Sequence, residues 1–448
     1  MNKKLASKGK NASKKVTVEE TGLNLTSQAG LVSTSKFLDK NKLTAMIKNC
    51  TAVIRGNNAS YQFHDIIEYC ILGVIGGGRS LDGIGEVWKD HPLRQMLGWA
   101  SVPDRTTISR LLESLTLSEV AGMENLIHTM RKKIWDEYFL PNRNTAGPII
   151  IDVDSTVKTS YGNQKGSEKG FNSSKKGASS FHPQLAFCAE TKEILQAWYR
   201  CGSAYTSNGI VDFMAQLTAQ LPTTEKFYFR ADSGYFSGDL LSFLEDNDYE
   251  YLIKVKMKNL TTMLASQDWA DIENKAGWQE TTFEYGCKSW DTKRTFKAVR
   301  VEIPEENPEE TLLEVKKYSY FCYVTTDLHL APWEVHKKYG ERATCETWIE
   351  ESKNQVALAN IKMDSFEGSS ILFQCSVMAY NTFRYMGLVS GNEQLQKWEP
   401  ATIRTYLIRT AGKLLTGSRQ FTLITPINHF YQNEWNDWIK TGGLMKAG

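Results

Sequence analysis

Ile149-Ile150-Ile151-Asp152-Val153-Asp154 is the stretch that decides the fold. It is an apolar, β-branched run that ends in carboxylates, so it reads as a strand presenting acid groups at its C-terminal end. Just before it, Pro141-Asn142-Arg143-Asn144-Thr145-Ala146-Gly147-Pro148 breaks any regular element and marks the clearest domain boundary in the chain. On the amino-terminal side of that break the apolar periodicity is helical. On the carboxy-terminal side it switches to strands, then to alternating helices and strands.

Downstream, 183–189 and 194–200 read as a hairpin around Glu190-Thr191-Lys192. Residues 208–221 form a helix with Ile210, Phe213, Met214, Leu217 and Leu221 on one side, and 226–231 a strand running into Asp232-Ser233-Gly234-Tyr235. A short helix at 238–246 and a strand at 249–255 follow. The order strand, strand, strand, helix, strand, helix, strand, with the first three antiparallel, is that of a ribonuclease-H-like α/β fold. The next helix is delayed, because 278–285, 295–303 and 318–325 alternate or carry β-branched and aromatic residues. A strand-rich insertion therefore interrupts this α/β domain, and the helix arrives only at Trp333, after Pro332 in its first turn.

That late helix contains Tyr339-Gly340-Glu341-Arg342-Ala343-Thr344-Cys345-Glu346-Thr347-Trp348-Ile349-Glu350-Glu351-Ser352-Lys353. At 3.6 residues per turn Arg342, Glu346 and Lys353 fall within roughly 40° of one another, with Tyr339 about 60° to one side. A solvated charged face with i,i+4 pairs would look the same on this helix taken alone. Beyond it, 367–388 is a long apolar helix and 401–415 reads as a basic helix carrying Arg404, Arg409 and Lys413.

Upstream, 61–75 reads as a buried helix stopped by Gly76-Gly77-Gly78. In the segment 102–115, Ile108, Leu111, Leu112 and Leu115 make one apolar face, Thr106, Thr107, Ser109 and Arg110 point the other way, and Asp104 can cap the start. Preceded by a helix and a turn, this fits a helix-turn-helix, with Thr107 and Arg110 facing DNA. A long amphipathic helix follows over 116–138. The expected divisions are a disordered basic arm (1–20), an all-α amino-terminal DNA-binding domain (21–145), the catalytic core (146–257 and 332–392) split by the insertion (258–331), and a basic helical carboxy-terminal region (393–448).

Composition sets outer limits. Of 448 residues 41% are apolar and 23% charged, an ordinary globular balance, and 53 basic against 51 acidic residues do not announce a nucleic-acid binder. Local charge says more: Lys3, Lys4, Lys8, Lys10, Lys14 and Lys15 crowd the start with no acid before Glu19. Eight scattered cysteines without a Cys-x-x-Cys pair argue against a zinc site or a disulfide framework, and point to a reducing cytosol. The most apolar run, 66–75, is too short to span a bilayer, so no membrane association is expected.

Three acids stand at telling places: Asp154 at the end of the first strand, Asp232 just past the fourth, and Glu346 on the late helix. If the first and fourth strands are neighbours, the aspartates meet side by side, and a helix crossing that face can bring Glu346 to them. Converging carboxylates repel one another unless a divalent cation neutralises them, and oxygen ligands select Mg²⁺ or Mn²⁺. Two such ions would activate a water or a DNA 3′-hydroxyl and stabilise the leaving oxygen of a phosphoryl transfer. Tyr339, Arg342 and Lys353 would hold phosphates. Each acid also has a plainer reading, Asp232 as a helix-start residue and Asp154 as a turn residue.

Tyr339, Arg342, Glu346 and Lys353 match the Y-x2-R-x3-E-x6-K signature, and on this ground the chain resembles the DDE transposases of bacterial insertion sequences. Asp154-Ser155-Thr156 resembles the family's first-aspartate motif and Arg230-Ala231-Asp232-Ser233-Gly234-Tyr235 its second. Lys169-Gly170-Phe171-Asn172, Lys175-Lys176 and Phe181-His182-Pro183 resemble the loop motif between the first two strands, and Thr26-Ser27-Gln28-Ala29-Gly30-Leu31 the amino-terminal region of one group. The resemblance implies cut-and-paste transposition by a homodimer on paired terminal inverted repeats, with strand transfer into target DNA. It implies Asp154, Asp232 and Glu346 as catalytic metal ligands, Lys175 and Lys176 on DNA, and a bacterial cytoplasmic, nucleoid-associated protein. Relatives pass through a DNA hairpin and stack a flipped base on an aromatic of the insertion, here Trp290 or Tyr318. Asp152 lies on the same strand face as Asp154, which is preferred for the Ser-Thr that follows it; Glu350 lacks the spacing that Glu346 has to both Arg342 and Lys353. Two alternatives stand beside this reading. One is an Asp-x-Asp glycosyltransferase holding Mn²⁺ and a nucleotide-sugar, which leaves Asp232 and the Glu346 helix unexplained. The other is a transposase-derived DNA-binding protein that no longer cuts.

Overall fold

The computed structural model describes residues 24–56, 58–144, 147–172, 175–303, 317–358 and 360–444; the basic arm expected at 1–20 lies outside them. The amino-terminal part is helical, with Ala29–Lys40 (α1), Phe63–Gly76 (α2), Arg105–Glu113 (α3) and Leu117–Ile134 (α4) as its principal elements. The last three start where the sequence supplies a cap. Asp65 reaches back to the Gln62 N–H at 2.7 Å, Asp104 accepts from Thr107 N at 3.0 Å, and Glu119 accepts from Thr116 N at 2.8 Å. α2 ends at Gly77, whose φ of 115° only glycine adopts without strain.

The apolar run forms β1 (Ile149–Ser155), followed by β2 (Gln184–Cys188), β3 (Ile194–Trp198), α5 (Ile210–Thr218), β4 (Phe227–Ala231), α6 (Gly238–Asp246) and β5 (Glu250–Lys254). The insertion adds β6 (Trp278–Tyr285), β7 (Arg294–Glu302) and β8 (Tyr318–Thr325). All join one nine-stranded sheet, in the order Ala270–Asp271, β6, β7, β8, β5, β4, β1, β2, β3. β1 is antiparallel to β2 and parallel to β4, and β4 is parallel to β5. Because β8 pairs antiparallel with β5, the insertion continues the sheet edge and does not build a sheet of its own.

The late helix departs from expectation. It is two helices, α7 (Pro332–Gly340) and α8 (Ala343–Gln355). Between them the ladder tightens to i→i−3 bonds: Arg342 N to Tyr339 O at 3.0 Å, Thr344 N to Glu341 O at 3.3 Å, and Cys345 N to Arg342 O at 2.8 Å. Gly340, a weak helix former, sits at the joint, and Arg342 is buried there at 4% exposure. The even 3.6-residue stripe through Tyr339, Arg342, Glu346 and Lys353 is therefore broken at Arg342.

α9 (Phe366–Ser390) is the central helix, buried along most of its length and packed against α2, α3 and α4. One continuous apolar core joins these helices to Phe187 and Ile194 on one sheet face, so the amino-terminal helices share their core with the carboxy-terminal half. A second core on the other face is covered by α5 and α6. No helix among the described residues is long and apolar enough to cross a membrane.

A second expectation fails at 401–415. The helix there stops at Ile408, and Gly412–Thr416 is a strand paired with Phe421–Ile424 and with Leu25–Thr26. The cause is tertiary. Ala29 N donates to Thr410 O at 3.0 Å, and a side chain on Gly30 would meet Leu407 O at 2.2 Å, so the Thr26–Leu31 motif closes on this segment and ends it. The unassigned tail includes α10 (Gln432–Thr441), whose Trp438 donates to Gly30 O at 3.2 Å.

Candidate active site

The parallel pairing of β1 with β4 brings Val153 opposite Ala231, so the next residues, Asp154 and Asp232, leave adjacent strand ends together. Asp232 caps the short turn Ser233–Tyr235, one carboxylate oxygen accepting from Gly234 N at 2.9 Å. The plain turn-starting role is therefore real, and it uses one of its two oxygens. Asp154 accepts from its neighbour Ser155 N at 2.7 Å and from Arg342 Nη2 at 2.9 Å. The same Nη2 donates to Val153 O at 3.1 Å, while Arg342 Nε is buried without a partner.

Electrostatics at this point are strained in a readable way. Burial pushes the Asp154 carboxyl up, Arg342 pulls it down, and the charge of Asp232 pushes it up again. Arg342 is held above its usual value: burial opposes its charge, but Asp154, Cys345, Tyr339 and Asp232 together outweigh burial. The Tyr339 phenol, packed on Tyr323 at 4.9 Å between ring centroids, is pushed up to about 12 by burial, against the pull of Arg342, with added push from Asp232, Asp154 and Glu346. All three acids thus act on one phenol.

Glu346 itself is exposed on the first turn of α8. Among the described residues no group of three carboxylate, imidazole or thiol side chains is close enough to hold a metal ion, so the three expected ligands do not close into a cage. Their donor set still suits a hard cation. Two adjacent acids at a largely buried position repel each other, and among the described residues Arg342 is the counter-charge paired to Asp154.

Asp152 is elsewhere occupied. It is fully buried and bonded twice by Arg230, Nε to Oδ1 at 2.7 Å and Nη2 to Oδ2 at 2.8 Å. Lys353, half-buried on α8, is lowered by burial. Lys175 and Lys176 are exposed on the loop between β1 and β2, where they line a surface hollow of about 430 Å³ with Tyr161. Lys175 lies over the Tyr161 ring at 4.9 Å. On α3, Arg110 is exposed, while the Thr107 hydroxyl donates to Asp104 at 3.1 Å and so already serves the cap. In the insertion, Trp290 packs on Phe236 and under Arg294, and Tyr318 lies under Arg300 at 4.0 Å.

A positioning arrangement beside the acids escaped the sequence reading. His182 Nδ1 meets Ala204 O at 2.6 Å, a contact that requires the ring to donate, which leaves Nε2 to accept from the Ser155 hydroxyl at 2.9 Å. Arg200 in turn bonds His182 O at 2.9 Å and Asn208 O at 2.9 Å, fixing the loop that carries Ala204. The Phe181-His182-Pro183 run was the available signal, but nothing in the sequence joins it to Ser155.

A family model described as transposase DDE domain group 1 matches residues 8–441. No curated protein matches the chain. Among solved structures the chain is similar to piggyBac transposase, determined by cryo-EM as a synaptic complex with hairpin DNA, at 12% identity and a TM-score of 0.41 over 84% of this chain and 78% of that one.

Proposed function

Since the chain belongs to the transposase DDE domain group 1 family, we propose that it binds the terminal inverted repeats of a bacterial insertion sequence, cuts them by metal-dependent phosphoryl transfer, and joins them to target DNA as a homodimer. The observation that carries this reading is the meeting of Asp154 and Asp232 at the ends of two parallel, in-register strands, with Arg342 and Tyr339 facing them. The strand order around that point supports a ribonuclease-H-like core, with the insertion strands added at one edge. Localisation would be cytoplasmic, on the nucleoid.

Asp154 and Asp232, joined by Glu346, would hold the divalent cations, Mg²⁺ or Mn²⁺. Bound there, two ions would supply an activated water or 3′-hydroxyl and a stabilised leaving oxygen. The chain's own residues do the rest. Arg342 neutralises Asp154 and is placed to share its guanidinium with a phosphate oxygen. Tyr339, kept protonated first by burial and then by its acidic neighbours, would donate a hydrogen bond to a phosphate oxygen. Lys353 adds a cation two turns from Glu346, about 10 Å along α8.

One observation favours the second reading, a DNA-binding protein that no longer cuts: Glu346 is exposed and, among the described residues, forms no three-ligand group with the aspartate pair. A single experiment separates them. DNA carrying the repeats that flank the coding sequence is incubated with the full chain in Mg²⁺, with and without excess chelator. Chelator-sensitive cleavage supports the enzyme; binding without cleavage supports the idle protein; cleavage that survives chelation overturns the metal mechanism.

A further inference from the structure

Three lysines converge just beyond the carboxylates. Lys158 follows the end of β1 in the two-residue strand Lys158–Thr159, Lys353 lies near the end of α8, and Lys362 belongs to the connection from α8 to α9. Two of them are tied by polar contacts that cross between their segments: Lys158 Nζ donates to the Asn360 side chain, and Lys362 Nζ donates to Thr159 O at 3.1 Å; Lys353 is near enough for its charge to act on Lys158. All three are half-buried, and among the described residues no carboxylate stands within ion-pair distance of any of them; Glu350 acts on Lys353 only from further away. Lys158 is pushed down to about 7, first by burial and then by the charges of Lys362 and Lys353.

Lysines usually extend their ammonium groups into water and away from one another. Gathering three on one spot, with two committed to polar partners on the neighbouring loop, costs free energy that an anion would recover. Position indicates which anion. On one side the cluster adjoins Ser155 and the helix of Glu346. On the other, Asn360 and Lys362 line a small cavity of about 130 Å³ with Arg105, the first residue of α3, and with Asp82, to which Arg105 is paired at 3.1 Å.

We propose that Lys158 and Lys362, together with Lys353, bind a backbone phosphate of the DNA strand that runs from the carboxylates toward α3. The site rests on the reading of the chain as a DNA-cutting enzyme and adds two residues, Lys158 and Lys362, to the expected DNA contacts. It couples reaction and recognition mechanically: a strand clamped here has its register fixed relative to the reacting phosphate.

The test is competitive acetylation of the full chain with trace acetic anhydride near pH 7.5, read lysine by lysine by mass spectrometry. It is run without ligand, with a random-sequence 30-base-pair duplex, and with inorganic phosphate. The expected result is severalfold protection of Lys158, Lys353 and Lys362 together by the duplex, with little from inorganic phosphate. If Lys175 and Lys176 are protected and these three are not, the site falls and DNA binding stands. Equal protection by inorganic phosphate assigns the cluster to a free anion and also overturns the strand site. If the duplex protects no lysine, the function reading falls with it. As a second measurement, Lys158→Gln with Lys362→Gln should make the slope of log affinity against log salt shallower by about 1 to 2. An unchanged slope in a folded variant overturns the site.

Discussion

On β1, two carboxylates two residues apart each meet a buried arginine, and the two pairs are built differently. Asp152 and Arg230 come from neighbouring strands in direct register, bond twice, and are exposed by 0% and 3% at their side chains. Asp154 meets Arg342 through one nitrogen, which it shares with Val153 O; Arg342 comes from a helix joint across the sheet and keeps Nε without a partner. Asp154 is 16% exposed and has a second acid beside it. The closed pair has every strong bond it can make and so holds the sheet. The open pair has bonds to spare and so is the one that can exchange partners, which is what a site for cations and phosphates requires.

The sharpest way to break this comparison is to neutralise acids one at a time. Asp154→Asn, Asp232→Asn and Glu346→Gln should each lower cleavage of end DNA by about three orders of magnitude or more, with end binding kept within a few-fold. Asp152→Asn should cleave normally per folded molecule. Loss of cleavage in Asp152→Asn without loss of stability would exchange the roles of the two pairs.

Stability should separate them in the opposite sense. Removing one partner of a closed buried pair leaves an uncompensated charge, so Asp152→Asn should lose about 3–5 kcal/mol in denaturant unfolding. Asp154→Asn should lose less, about 1 kcal/mol, because it also relieves the repulsion with Asp232 and Arg342 keeps its bond to Val153 O. Equal losses would mean that the difference in exposure does not matter. A subtler change, Arg342→Lys, keeps the charge and gives up the fork. It should slow cleavage by about tenfold to a hundredfold, the worth of about 1.5–3 kcal/mol for a charged hydrogen bond, with unfolding barely moved.

The contrast between the pairs also marks where the sequence could be read and where it could not. Element positions followed from period and composition: strands 278–285 and 318–325 and helix 238–246 coincide with β6, β8 and α6. The placement of Asp154 and Asp232 followed from strand order alone. What period cannot carry is a long-range partner. The joint at Arg342 exists because that side chain reaches β1, and the strand at Gly412–Thr416 exists because Leu25–Thr26 pairs with it. Similarly, the Ser-Thr after Asp154 favours it over Asp152, but only the bond from Arg230 shows that Asp152 is committed to the sheet. The exposure of Glu346 was not legible either, since helical phase gives direction but not distance.

The smallest effect is the most discriminating one. Replacing Asp152 with Leu and Arg230 with Met together removes both charges and leaves neither partner stranded. Buried ion pairs exchanged in this way for apolar residues of similar volume are often neutral or slightly stabilising, because the desolvation cost of two ions goes with them. Arg230 has two lesser contacts, Lys338 O at 3.2 Å and Glu341 at 3.4 Å, but Glu341 is 70% exposed and regains water when the arginine leaves. The double variant should therefore unfold within about 1 kcal/mol of the parent and recover most of what Asp152→Asn loses. Its cleavage should match the parent within a few-fold, because the open pair lies one strand pleat further on and keeps its own arginine. If stability returns but cleavage does not, then the field of the closed pair reaches Asp154 and Arg342, and the two pairs act as one unit on the reacting phosphate.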